Sequence, residues 1–165
     1  MLFGVTLQPG ALSLLLQRPA IELANYATTI TDHPFLADLE RVLLEPTFAG
    51  RVAILEAHLR LRFARTIPDY RYALVQAAVC HMARPGPLGH LADQLSVTPK
   101  SLTRYFQQVV GLTPKRCAQL ARFKQALTEY RQLGRAWDHE AAGYADFAHF
   151  ARASHRLTGR RLSEL

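Results

Sequence analysis

The stretch TPKSLTRYFQQVVG, Thr98 to Gly111, opens on a residue that can cap a helix, places proline at the first helical position and closes on glycine. Each signal has a local cause. A threonine hydroxyl can accept an orphan N–H of the first turn, proline loses nothing where no intrahelical bond is made, and glycine tolerates the left-handed backbone that ends a helix. Between these ends Leu102, Tyr105, Phe106 and Val109 fall on one side, and Lys100, Thr103, Arg104 and Gln107 on the other. Such spacing predicts an amphipathic helix with a polar outer face. Just upstream, Leu88, Leu91, Ala92 and Leu95 make a second, shorter stripe, and Ser96-Val97 separates the two as a tight turn. A short helix, a turn and a second helix make a helix-turn-helix unit over about 87–111.

The outer face decides what that unit does. It carries two cations, a hydroxyl and an amide, with Ser101 beside them in the first turn, and it carries no acid. Arginine and lysine read guanine edges in the major groove, amides read adenine, and threonine reads several bases. The candidate DNA contacts are therefore Lys100, Ser101, Thr103, Arg104 and Gln107.

The pattern recurs. DFAHFARASHRLTG, Asp146 to Gly159, repeats the cap, the apolar residue four on, the arginine six on and the closing glycine, at an offset of 48 residues. A short helix around Trp137–Ala142, stopped by Gly143, is expected to complete a second unit over about 136–159. Thr113-Pro114 starts a linker helix over about 113–133, stopped by Gly134. Twenty helical residues span roughly 30 Å, near the ~34 Å between successive major grooves on one face of DNA.

Upstream the signals are weaker. Leu2 to Leu7, closed by Pro9-Gly10, reads as one short N-terminal strand, which needs a partner strand. Ala11–Gln17, Ala20–Tyr26, Pro34–Leu44 and Ala49–Arg65 read as helices. Thr66-Ile67-Pro68-Asp69 breaks the pattern, dividing a mostly helical region 1–66 from a domain 67–165 in which Asp69 caps a helix to about Arg84. Charge changes at the same place. Residues 1–66 hold six basic and six acidic side chains, whereas 67–165 hold fourteen and seven, so the whole net charge of +7 lies in the second part. By charge alone, that asymmetry fits an anionic partner and a solvated basic surface equally well. The fold class is mainly α.

Other chemistries are poorly supplied. Two cysteines, Cys80 and Cys117, form no CxxC pair and read as reduced and buried. No apolar run is long enough to cross a membrane, and MLFGVTLQPG lacks the basic region of a signal peptide, so a cytoplasmic protein is expected. His149 and His155 fall on different sides of their helix, and His139-Glu140 lacks the second histidine of a zinc motif. No catalytic residue, metal site or cofactor is expected.

LADQLSVTPKSLTRYFQQVVGLTPKRCAQLARFKQAL, followed by GYADFAHFARASHRLTG, resembles the DNA-binding domain of the AraC/XylS family of bacterial transcription regulators over roughly 70–165. The resemblance implies two helix-turn-helix units, the first reading bases through Lys100, Thr103 and Arg104 and the second presenting Phe147, Ala148, Ala151 and Arg152. His155 is a further cation on the second helix, and Lys115, Arg116, Arg160 and Arg161 are candidate phosphate contacts. By the same resemblance 1–66 is the end of a sensing domain whose sheet would lie upstream, so any effector site is incomplete. The expected partner is duplex DNA; RNA polymerase and a second copy of the chain are candidates. The second copy departs from the family at His139, Ser154 and Arg161-Leu162, and its alanines offer no hydrogen bonds. It is expected to fold but to read little sequence. The competing reading is a helical interaction or dimerisation module that binds DNA weakly and without sequence preference.

Overall fold

The computed structural model describes residues 4–24, 35–82 and 88–165. The chain is helical, and no strand forms among the described residues. Gly4 to Gln8 runs without regular structure, so the expected N-terminal strand is not seen there, and its first apolar residues lie outside the described part. A strand needs a neighbour to take its hydrogen bonds, and no strand among the described residues supplies them.

In chain order the elements are α1 (Ala11–Leu16), a 3₁₀ turn (Ala20–Leu23), α2 (Phe35–Leu44), α3 (Phe48–Arg65) and α4 (Tyr70–Met82). They continue with a 3₁₀ turn (Leu88–His90) running into α5 (Leu91–Gln94), then α6 (Pro99–Val109), α7 (Pro114–Leu133) and α8 (Phe147–Thr158). The second predicted helix shrinks to the 3₁₀ turn at Ala20, and the Arg84-Pro85-Gly86-Pro87 break falls outside the described residues.

Three starts follow from capping chemistry. Thr98 accepts from the Ser101 N–H, Thr113 from that of Arg116 and Asp146 from that of His149, each three residues into its helix. The turn between α5 and α6 is closed by the Val97 N–H on the Ala92 carbonyl and holds Ser96 at φ 53, a backbone that non-glycine residues adopt at a cost.

Two apolar cores form, and α7 belongs to both. The first joins Val75 and Ala78 of α4, Leu91 and Ala92 of α5, the inner face of α6, and Cys117 near the start of α7. The second joins Phe123 and Ala126 of α7 to Trp137, Tyr144, Phe150 and Ala153. Phe150 sits at its centre, its ring centroid 4.5 Å from that of Trp137 and 5.1 Å from that of Tyr144.

The N-terminal segment packs on the first core. Gln76 donates to the Pro9 carbonyl at 2.5 Å, and α1 and the turn at Ala20 lie against α6. Gly111, at φ 81, is where that approach is tightest, since a side chain there would stand 2.8 Å from the Ala20 carbonyl oxygen.

Two expectations are corrected. Trp137–Ala142 is not a helix but a run of turns. The Asp138 carboxylate takes the N–H groups of Glu140 and Ala141 as a cap does, and the Ala142 N–H closes one turn on the Asp138 carbonyl. Gly143 at φ 79 then turns the chain, with the Gly143 and Tyr144 N–H groups going to the Glu140 and His139 carbonyls, so the helix stops before a second turn. Cys80 is exposed, and only Cys117 is buried. The sequence of α4 is apolar on most sides, so its pattern did not settle which side faced in.

Candidate nucleic-acid interface

The inner face of α6 is settled by burial. Leu102, Tyr105, Phe106 and Val109 are each less than one-tenth exposed, and Phe106 is wholly enclosed. Anchoring that side turns the other outward. Lys100, Ser101, Thr103, Arg104 and Gln107 then line one shallow surface concavity with Pro99, so all five candidate residues of the first recognition helix are brought together.

Their side chains are not equally free. The Thr103 hydroxyl donates back to the Pro99 carbonyl at 2.9 Å, which leaves its lone pairs for an incoming donor. The Thr98 hydroxyl donates to Ser101 Oγ at 3.0 Å, so Ser101 is engaged with the cap and retains its own proton to donate. Lys100 and Arg104 are exposed, and neither pairs with an acid among the described residues. The guanidinium of Arg104 lies 5.3 Å from the centroid of the Tyr105 ring. From residue 94 to 128 the chain carries Lys100, Arg104, Lys115, Arg116, Arg122 and Lys124 and no acid, so nothing in that stretch offsets the field.

Behind α6 stands a polar network. The Tyr70 and Tyr105 hydroxyls are 2.7 Å apart, with their rings edge to face at 86°. Tyr70's hydrogen bond, reinforced by Arg104, holds the Tyr105 phenol below the ordinary tyrosine range, and the same bond pushes Tyr70 above it. Arg71 reaches Gln108 Oε1 at 3.2 Å and binds the Asp69 carboxylate through Nε at 2.7 Å. That contact to Arg71 keeps the Asp69 carboxyl below its usual value.

The second helix differs. Phe147 is 48% exposed, Ala148 and Arg152 are exposed, Ala151 is half-buried and His155 is exposed. Arg152 is its main outward cation near the start, and it lies 3.9 Å from Asp146, the capping acid. An exposed pair of that kind is worth little energy, but it leaves a negative charge beside the groove face that α6 does not have. Phe147 also leans on Tyr130, with centroids 5.7 Å apart. His149 is used locally, accepting from the Ala145 N–H and standing edge-on to Tyr144.

The candidate phosphate contacts are distributed along this region. Lys115 and Arg116 occupy the first turn of α7, Lys115 exposed and Arg116 half-buried. Arg160 and Arg161 are exposed after α8, where the Arg161 N–H is fixed by Glu164 at 3.1 Å. That fixed turn carries Leu162 and Leu165 onto the second core, so the final residues are packed.

Sequence reasoning missed Tyr70, Arg71 and Arg122. Arg122 stacks over the Tyr144 ring at 5.4 Å. No local pattern marks Tyr70, because its partner lies 35 residues away.

Among the described residues no three His, Cys, Asp or Glu side chains gather as a metal site, and no helix is long and apolar enough to cross a membrane. Residues 91–165 match a family model described as a helix-turn-helix domain. No curated protein and no solved structure matches the chain.

Proposed function

From the premise that residues 91–165 are an AraC-type helix-turn-helix domain and that the chain is a DNA-binding transcription regulator of that type, we propose that it reads duplex DNA by sequence, chiefly through α6. The observation that carries this reading is the outer face of α6. It gathers Lys100, Thr103, Arg104 and Gln107 into one concavity, with no acid on the helix and both cations unpaired by any described acid. Arginine there can meet guanine through two parallel hydrogen bonds, and the amide of Gln107 can do the same for adenine.

In this reading 67–165 is the DNA-binding domain, with units at about 87–111 and 136–159 on either side of α7. The ~30 Å of α7 sets the second helix toward the next major groove. There α8 supplies phosphate contact and shape rather than much base reading, since its outward face is Ala148, Ala151 and an arginine shared with Asp146. Lys115, Arg116, Arg160 and Arg161 add phosphate contacts. The protein acts in the cytoplasm on promoter DNA. A second copy and RNA polymerase are its candidate protein partners.

Selection of binding sites from random duplex DNA tests the reading. A consensus is expected, and Arg104→Ala should weaken binding to it by about 1–3 kcal/mol and relax one base position. Log affinity should fall with log salt at a slope of about −0.9 for each phosphate neutralised. If no consensus emerges and Arg104→Ala leaves affinity unchanged, α6 is not the reading element, and a module that binds DNA without preference is the better account.

A further inference from the structure

Tyr70 is an odd residue to find at the edge of a core. It opens α4, lies outside the matched residues 91–165, and is 65% exposed, so its ring buries little area. Yet its hydroxyl meets that of Tyr105 at 2.7 Å, and Tyr105 is only 7% exposed, part of the first core. Tyr105 in turn is the ring over which the Arg104 guanidinium lies. A side chain that contributes so little burial but makes a short, directed bond has its effect through orientation.

We propose that Tyr70 is a positioning residue for base reading: its hydroxyl fixes Tyr105, and Tyr105 holds the Arg104 guanidinium in the pose that meets a base edge. This rests on the reading that Arg104 contacts bases.

The physical gain is preorganisation. A free arginine carries about 2 kcal/mol of rotamer entropy, part of which is lost whenever the fork is fixed on a guanine. Stacking on an aromatic face that is itself immobile removes some of those rotamers before DNA arrives. Tyr105 would be a poorer platform alone, because the short bond that fixes its hydroxyl comes from Tyr70. Arg71 makes a second tie from α4 to α6, through Gln108, so the helix axis stays placed if the Tyr70 hydroxyl is removed. The effect of that hydroxyl is therefore separable from the placing of the helix.

The experiment uses the full chain, the duplex selected from random DNA and its single-base variants. The readout is the ratio of affinities, consensus over variant, at the base position that Arg104→Ala relaxes. Tyr70→Phe keeps the ring and should lower that ratio roughly fivefold, the order expected for one lost hydrogen bond. In an Arg104→Ala background it should lower it no further. Tyr105→Phe should match Tyr70→Phe, and the two together should do no more than either. A Tyr70→Phe protein that keeps the full ratio, while Arg104→Ala loses it, overturns the proposal and leaves α6 as the reader. Equal weakening on every duplex, or the same loss with and without Arg104, makes Tyr70 structural and also overturns it. Should Arg104→Ala leave every base preference intact, the underlying reading falls, and the positioning role falls with it.

Discussion

Ser154 offers a sharp measurement, because its substitution should stabilise the protein. It sits on α8 with no exposed surface, and its hydroxyl oxygen has no hydrogen-bond partner among the described residues. Folding therefore strips water from a hydroxyl and returns nothing, a cost of about 1–3 kcal/mol. Ser154→Ala removes the hydroxyl, keeps the β-carbon, and gains up to about half a kcal/mol of helix propensity. The loss of one oxygen's packing offsets part of this. The net expectation is about 1–2 kcal/mol of added stability, or a rise of roughly 2–8 °C in Tm for a chain of this size. Urea denaturation followed by both circular dichroism and tryptophan fluorescence is the assay. Trp137 is the sole tryptophan and lies in the same core, so the fluorescence reports that core directly. Phe150→Ala, at the centre of the cluster, should by contrast cost about 3–5 kcal/mol. If Ser154→Ala lowers or leaves unmoved the urea midpoint, the hydroxyl is satisfied in solution and the reasoning is refuted.

Two further outcomes follow from the same geometry. Gly111→Ala should destabilise by more than about 1–2 kcal/mol, the cost of a left-handed backbone for a residue with a β-carbon, because the contact with the Ala20 carbonyl adds to it. Thermal denaturation reads it: a loss of no more than the backbone cost would show that the N-terminal segment is not seated there, and an unchanged Tm would contradict the left-handed backbone itself. Iodoacetamide at pH 8 should label Cys80 in the native protein and Cys117 only after denaturation, since burial pushes the Cys117 thiol above its usual value; mass spectrometry distinguishes the two, and equal labelling would contradict the first core.

What could be read from sequence was what local chemistry decides. Thr98, Thr113 and Asp146 cap their helices because the groups involved lie within three residues of each other. Leu102, Tyr105, Phe106 and Val109 are buried because the period of an α-helix puts them on one side whatever they pack against. The partner of that side was another matter. Tyr70 meets Tyr105 across 35 residues, and the turn at Ala20 meets Gly111 across a far wider gap, with no spacing rule to announce either. Trp137–Ala142 failed for the opposite reason. Six residues leave room for little more than one helical turn, and Gly143, in the left-handed backbone, ends it there although Asp138 caps its start. The five candidate residues on α6 came together in one concavity, whereas the pairing of Arg152 with Asp146 went unread, because a cap was assigned to Asp146 and nothing more.

The two helices proposed to contact DNA are held by different means, and this bears on how they would divide the work. α6 is gripped from several sides: α4 and α5 through the first core, the start of α7 through Cys117, and the N-terminal segment through α1 and the turn at Ala20, which meets Gly111 just past the helix. α8 rests on an aromatic cluster around Phe150 and on the closing residues Leu162 and Leu165, and the turn before it takes the place of a supporting helix. Precision in meeting base edges needs a backbone placed from several directions, whereas phosphate contact tolerates small shifts because charge acts at longer range. The residues follow the same division. α6 carries the amide, the hydroxyl and the unpaired cations, while α8 carries alanines and an arginine beside an acid. α7 contributes Cys117 to the first core and Phe123 and Ala126 to the second, so each helix is seated in a core of its own. A first unit that reads and a second that grips is the arrangement this asymmetry in support favours.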